Sequence, residues 1–236
     1  MELSRAHWPE VEAAPRRLLV VPVGSLEQHG PHLPLDTDTR IAAAVAARAC
    51  TGHAGTGLAP PVAIGASGEH ADFPGTLSVG QAALTGLLVE LGRHASLHWP
   101  AMLLVNGHGG NVAAIADALT RLRAEGRRAH GWHAGVRPAM LAAANLTLTP
   151  DAHAGRVETS VMLALAPGDV RLGAAAAGET RPLPEIMDGL RARGVRPVSP
   201  NGVLGDPAGA SAAEGEILLS LMTADLAGVI SRLAGY

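Results

Sequence analysis

The chain has 236 residues, of which 47% are hydrophobic but only 2% aromatic, so its core must be built from Ala, Val and Leu. The formal net charge of −3, with every basic residue an arginine, leaves no basic footprint for nucleic acid. The single cysteine, Cys50, excludes an internal disulfide, and neither a signal peptide nor a membrane-spanning run is read, so a soluble, cytoplasmic protein with no membrane partner is expected.

In chain order, short apolar runs alternate with helical patterns, which predicts βαβ units in one large α/β domain with a mainly parallel sheet. Leu18 to Val23 reads as a buried strand. Ile41, Val45 and Ala49 stripe a helix that starts near Asp38, with Asp36 and Thr37 there to cap it. A second strand spans Leu58 to Ile64, irregular or near an edge because of Pro60 and Pro61, and the loop Gly65 to Thr76 follows. Next come a helix with Leu84, Leu87, Leu88 and Leu91 on one face and a third strand from Ala101 to Val105. Asn111 is expected to cap a helix striped by Val112, Ile115, Leu119 and Leu122 and closed by Gly126. Ala129 to Ala134, carrying His130 and His133, is the fourth strand. Helices are expected around Pro138 to Asn145 and from about Val157 to Ala166. Pro167 to Pro207 reads as irregular, with one short helix near Pro184 to Arg193, and is a candidate for contacts between subunits. Ser211 and Glu214 form a capping box for a last helix, whose Leu218, Met222, Leu226, Val229 and Leu233 share a face.

Directly after the first strand, Glu27, His29, His32 and Asp38 fall within twelve residues. Mixed nitrogen and oxygen donors of this kind suit borderline divalent ions. Glu27 and His29 are two apart, so an extended segment points both to one side, and Gly30 with the prolines can bring Asp38 back towards them. Sites in open α/β sheets form beyond the carboxyl ends of the strands. Loops leaving successive strands carry Glu27/His29/Asp38, then Glu69/His70, then His108, with His153 and Glu158 later in the chain. His108 stands among Gly107, Gly109 and Gly110, which admit close approach of a metal or substrate. Glu158 shares a helix face with Met162 and Leu165 and so reads as an inward acid, which either Arg156 or a metal must satisfy. There is no Gly-x-Ser-x-Gly elbow and Cys50 has no evident base, which argues against covalent catalysis.

The segments PVGSLEQHGPHLPLDTD, NGHGGN and HAGRVETSVMLAL resemble the signature segments of the creatininase family of metal-dependent amidohydrolases, in order, from about Val20 onward. Within the family, GEHADFPGTLSVG and GVLGDPAGASAAEGE look most like the mycofactocin-system branch, which releases a C-terminal Val-Tyr dipeptide from a modified precursor peptide. The resemblance implies a three-layer α/β/α fold over residues 1–236, a homo-oligomer such as a hexamer, and two divalent ions (Zn²⁺, Fe²⁺ or Mn²⁺). Glu27, Asp38 and His108 would bind one ion, and His29 and Asp38 the other, with Asp38 bridging. The family's further carboxylate, two residues after the histidine of NGH, is missing at Gly110, and Glu158 is the candidate to replace it. His153 would act on the amide as oxyanion stabiliser or proton donor. Glu69 and His70 are assigned to substrate binding, with a hydrogen bond behind the ligands or a subunit contact as the alternative; His32 is placed behind the ligands. The expected substrate is the precursor peptide; a small cyclic amide or formamide is the alternative, and a non-catalytic metal-binding scaffold is the reading from another class.

Overall fold

A computed structural model describes residues 1–148 and 151–235. In β1 (Leu18–Val23) every residue is buried, and alternate side chains enter different apolar clusters. Leu18 and Val20 face one side of the sheet, while Leu19, Val21 and Val23 face the other, as the period of two requires for a strand covered on both faces. β1 lies between β2 (Thr56–Leu58) and β3 (Met102–Asn106), and β4 (Ala129–His133) pairs with β3. The order is β2-β1-β3-β4 with every pairing parallel.

Helices cover both faces, giving the three-layer α/β/α arrangement. The amino-terminal α1 (Trp8–Ala13) contributes no buried residue. On one side α2 (Thr37–Cys50), α6 (Arg156–Leu165) and α8 (Ala212–Ala234) contribute Val45, Met162, Leu218 and Leu226 to the core. On the other, α3 (Gly80–Ala95) and α4 (Val112–Ala124) contribute Leu84, Leu88, Ala118 and Leu122. Each fully buried leucine adds about 2 kcal/mol of hydrophobic stabilisation. α5 (Pro138–Ala143) and α7 (Leu183–Arg193) lie on the helical pieces expected there, and α7 anchors a small third cluster through Ile186. With few aromatics available, aliphatic side chains do this packing, as composition required.

Several local expectations are corrected. The second strand is Thr56–Leu58 rather than Leu58 to Ile64, because Pro60 and Pro61 cannot continue the ladder; only Val62 returns, as an isolated bridge to Val23. The buried face of α3 runs through Leu84, Thr85, Leu88 and Val89, so Leu87 and Leu91 lie exposed on its flank, and Val112 is likewise outside the stripe of α4. Asp36 occupies the N-cap position of α2 but caps nothing, and its carboxylate pairs with Arg40 at 2.8 Å instead. Half of the expected capping box forms: Ser211 Oγ accepts from the Glu214 N–H at 3.2 Å, whereas the Glu214 carboxylate turns to Arg156 and Ser160. α8 is long and apolar enough to cross a membrane by length and composition, contrary to the sequence reading, yet its Leu218, Met222, Leu226 and Ile230 are packed in the core.

The strands end together. Val23, Asn106 and His133 are in register across β1, β3 and β4, so the loops that leave them emerge at one edge.

Candidate metal centre

At that edge the first turn of α2 docks against the loop after β3. A Cβ on Gly107 would lie 2.5 Å from the Asp38 carbonyl oxygen, so glycine there is what lets Asp38 come close to His108. Glu27, His29, Asp38, His108 and His153 are all buried.

Asp38 presents its two oxygens to two imidazoles. His29 Nε2 stands 3.1 Å from Oδ1, and His108 Nδ1 stands 3.1 Å from Oδ2, which also accepts from Ser25 Oγ at 2.8 Å. The opposite nitrogen of each ring meets a backbone carbonyl, His29 Nδ1 at Glu27 (3.1 Å) and His108 Nε2 at Ala66 (3.2 Å). A carbonyl takes one N–H, so the nitrogen of each ring that faces Asp38 is the one that can give its proton up to a cation, the orientation in which proteins hold metal-binding histidines.

Glu27 shows why a cation fits here. It is fully buried, and neither carboxylate oxygen has a hydrogen-bond partner. Its neighbours are nitrogen atoms without bonding geometry: His108 Nε2 at 3.0 Å, His70 Nε2 at 3.3 Å and His153 Nδ1 at 3.8 Å. A carboxylate buried unpaired costs several kcal/mol, which a coordinated cation removes. Three donor groups have ligand atoms within 4.8 Å of one another: Glu27/Asp38/His108, His29/Asp38/Glu158 and Glu27/His29/His153. The structure thus brings Glu158 to His29 and Asp38. Glu158 Oε2 accepts from Ala154 N–H at 2.6 Å, while Arg156 pairs with Glu214, so the arginine does not satisfy it. Ala154 holds φ at +53°, a left-handed conformation that costs an alanine energy and is typical of functional sites.

Electrostatics make the same point. Burial opposes charge on His29, but Asp38 outweighs it and raises the pKa to about 9. Burial likewise opposes charge on His108, and Asp38, Glu27 and Glu69 overcome it, holding the pKa well above the ordinary value. Without metal, protons on these rings supply the positive charge that the carboxylates demand. Burial pushes Glu158 up to about 7, with His29 opposing and Asp38 adding to it. Burial, reinforced by His29 and His70, holds His153 well below the usual histidine range, so it is neutral at pH 7.

Several side chains position the donors without having been singled out in the sequence. Gln28 donates from Nε2 to His70 Nδ1 at 2.8 Å and to the Gly202 carbonyl at 3.0 Å, and its own carbonyl accepts from His153 Nε2 at 2.7 Å. His70 therefore turns Nε2–H towards Glu27, and His153 leaves Nδ1 bare. Asn111 does not cap α4; it is buried and ties three loops, donating to Gly24 and Asn106 and accepting from Ala66 N–H. His32 meets Thr159 Oγ1 at 2.9 Å, behind the donors. His133 takes a hydrogen bond on Nδ1 from Asn106 and borders the cavity; only its place at the end of β4 marked it beforehand. Glu69 Oε1 lies 3.3 Å from His108 Nε2.

The donors open into a cavity of about 1140 Å³, whose lining includes Leu183, Met187 and Leu190 of α7. The arrangement can hold divalent cations over a space wide enough for a peptide segment.

Comparison with known proteins agrees with this geometry. The family profile described as creatininase, creatinine amidohydrolase, matches residues 4–230. A protein of Mycolicibacterium smegmatis named mycofactocin precursor peptide peptidase is 51% identical over 220 residues, covering 91% of this chain and 85% of that one. Among solved structures, a manganese creatininase superposes with a TM-score of 0.80 at 29% identity, covering 98% of this chain and 97% of that one. A Zn-Zn type creatininase mutant also gives 0.80, at 28% identity and the same coverage. The chain belongs to the creatininase family and is a hydrolase of amide bonds.

Proposed function

We propose that the chain is a metal-dependent peptidase that releases the C-terminal Val-Tyr dipeptide from the modified mycofactocin precursor peptide. The observation that carries the metal dependence is the buried, unpartnered Glu27 carboxylate among imidazoles already held in ligating orientation. The peptide substrate is supported by the 51% identity to a precursor peptide peptidase, against 34% to a creatinine amidohydrolase of Pseudomonas putida. A cavity of about 1140 Å³ is also larger than a small cyclic amide needs.

Glu27, Asp38 and His108 would hold one ion and His29, Asp38 and Glu158 the other, with Asp38 between them. Imidazole and carboxylate donors suit Zn²⁺, Fe²⁺ or Mn²⁺. Such ions supply a water of lowered pKa and polarise the amide carbonyl. His153 is neutral and fixed by the Gln28 carbonyl with Nδ1 bare, so it takes a proton from the attacking water and returns it to the leaving nitrogen. In this arrangement His70 stands beside Glu27 and lines the same cavity as Glu69, His133 and α7, so substrate contacts fall among these residues. The enzyme works as a single domain over residues 1–236, in the cytoplasm, and as a homo-oligomer; the exposed Leu87 and Leu91 of α3 support the assembly.

The test is to load the protein with Zn²⁺ or Fe²⁺, add linear and modified peptides ending in Val-Tyr, and look for the free dipeptide by mass spectrometry. Release of Val-Tyr is the expected result. Turnover of a cyclic amide or formamide with both peptides left intact overturns the substrate assignment.

A further inference from the structure

The Glu69 carboxylate fills the space that a side chain at position 110 would need. A Cβ on Gly110 would overlap Glu69 Oε1, His108 Nε2 and the Ala66 carbonyl oxygen. The acid expected two residues after His108 is therefore absent from a place that another acid, from the loop after β2, already occupies. Resting on the metal centre proposed above, we infer that Glu69 is the positioning carboxylate of His108. Its charge lies against the Nε2 edge of the ring, whose N–H goes to the Ala66 carbonyl, and strengthens Nδ1 as a ligand beside Asp38.

Three oxygens surround His108 Nε2: Glu27 Oε2 at 3.0 Å, the Ala66 carbonyl at 3.2 Å and Glu69 Oε1 at 3.3 Å. The Ala66 carbonyl accepts the Nε2–H and Glu27 is needed for the cation, so Glu69 is the charge left beside that edge of the ring. A carboxylate behind a ligating histidine fixes its tautomer and raises its basicity. Charge points the same way. Glu27, Asp38 and Glu158 bring three negative charges to the centre, and Glu69 brings the fourth, which balances two divalent ions.

The loop is also held in place for this task. The Glu69 carbonyl accepts from Val195 N–H at 2.8 Å, so the segment after α7 pins the residue that touches His108. Glu69 borders the cavity and its side chain is 31% exposed, which would also suit a substrate contact, but its Oε1 is turned to the imidazole.

The test is a Co²⁺ titration of metal-free parent, Glu69→Gln and Gly110→Ala proteins, followed by visible absorption and metal analysis. Glu69→Gln should bind Co²⁺ about 10–100-fold more weakly with an altered absorption band, while the thermal midpoint of its metal-free form stays that of the parent. Gly110→Ala, whose methyl group would meet the His108 ring and the Ala66 carbonyl as well as Glu69, should weaken binding at least as much. Parent-like Co²⁺ affinity and spectrum in Glu69→Gln, with a raised KM, overturns the inference and gives Glu69 to the substrate. A parent protein that binds no Co²⁺ overturns the metal centre itself.

Discussion

Asp38 Oδ2 faces His108 Nδ1 across 3.1 Å while the far side of that ring is committed to a backbone carbonyl. The same carboxylate serves His29 with its other oxygen, so no other residue can take over both contacts. Asp38→Ala should leave at most one ion bound and slow hydrolysis about 10³-fold or more, which corresponds to the several kcal/mol of charge stabilisation a metal provides. Metal stoichiometry and dipeptide release measure the two effects. A variant that hydrolyses as fast as the parent removes the centre from the mechanism.

Metal affinity should rise with pH. His29, at about 9, is protonated in the neutral metal-free protein and must lose that proton to bind an ion. One proton released per ion means about tenfold weaker binding for each pH unit from 9 down to about 7, and a steeper loss below that, where Glu158 must also give up a proton. Stability of the metal-free fold runs the opposite way. The folded pKa lies above the ordinary 6.5, so the protonated ring stabilises fully below 6.5 and that contribution is lost as pH rises through about 9. Calorimetric titration with Zn²⁺ over this range checks the slope; a flat profile contradicts it.

His153→Ala should lower the rate of dipeptide release by about 10²–10⁴-fold, the usual contribution of a positioned acid or base. The metal content should stay that of the parent. Loss of an ion from this variant would instead assign His153 to the donor group it shares with Glu27 and His29.

Gly215 of α8 presses on α6, and a Cβ there would overlap the Ser160 carbonyl oxygen. Gly215→Ala should therefore destabilise the fold by about 1–3 kcal/mol, or roughly 2–12 °C in Tm for a chain of this length. Thermal unfolding of the metal-free protein measures it, with Gly168→Ala, where a Cβ meets nothing, as the control.

Local pattern revealed much of this. β1 was legible because both its faces are buried in an unbroken apolar run, and the Glu27 to Asp38 stretch because donors are concentrated directly after it. What stayed hidden depends on partners far along the chain. Asn111 looks like a cap to any local rule, but the unpaired backbone groups at Gly24 and Ala66 claim its amide. Glu214 looks like half of a capping box, and Arg156, 58 residues earlier, claims its carboxylate. Gln28 lies between two candidate donors and carries no ligand chemistry, so only the folded positions of His70 and His153 give it a role.

Part of the cavity lining is furnished by α7, a late stretch of the chain, whereas most of the donors sit on earlier loops at the strand ends. A substrate read by α7 would leave recognition and reactivity in separable parts of one polypeptide. Relatives could exchange what they digest by rewriting that single helix, leaving the reactive apparatus inherited intact, with the bond from Val195 to Glu69 as the seam where the two must still agree.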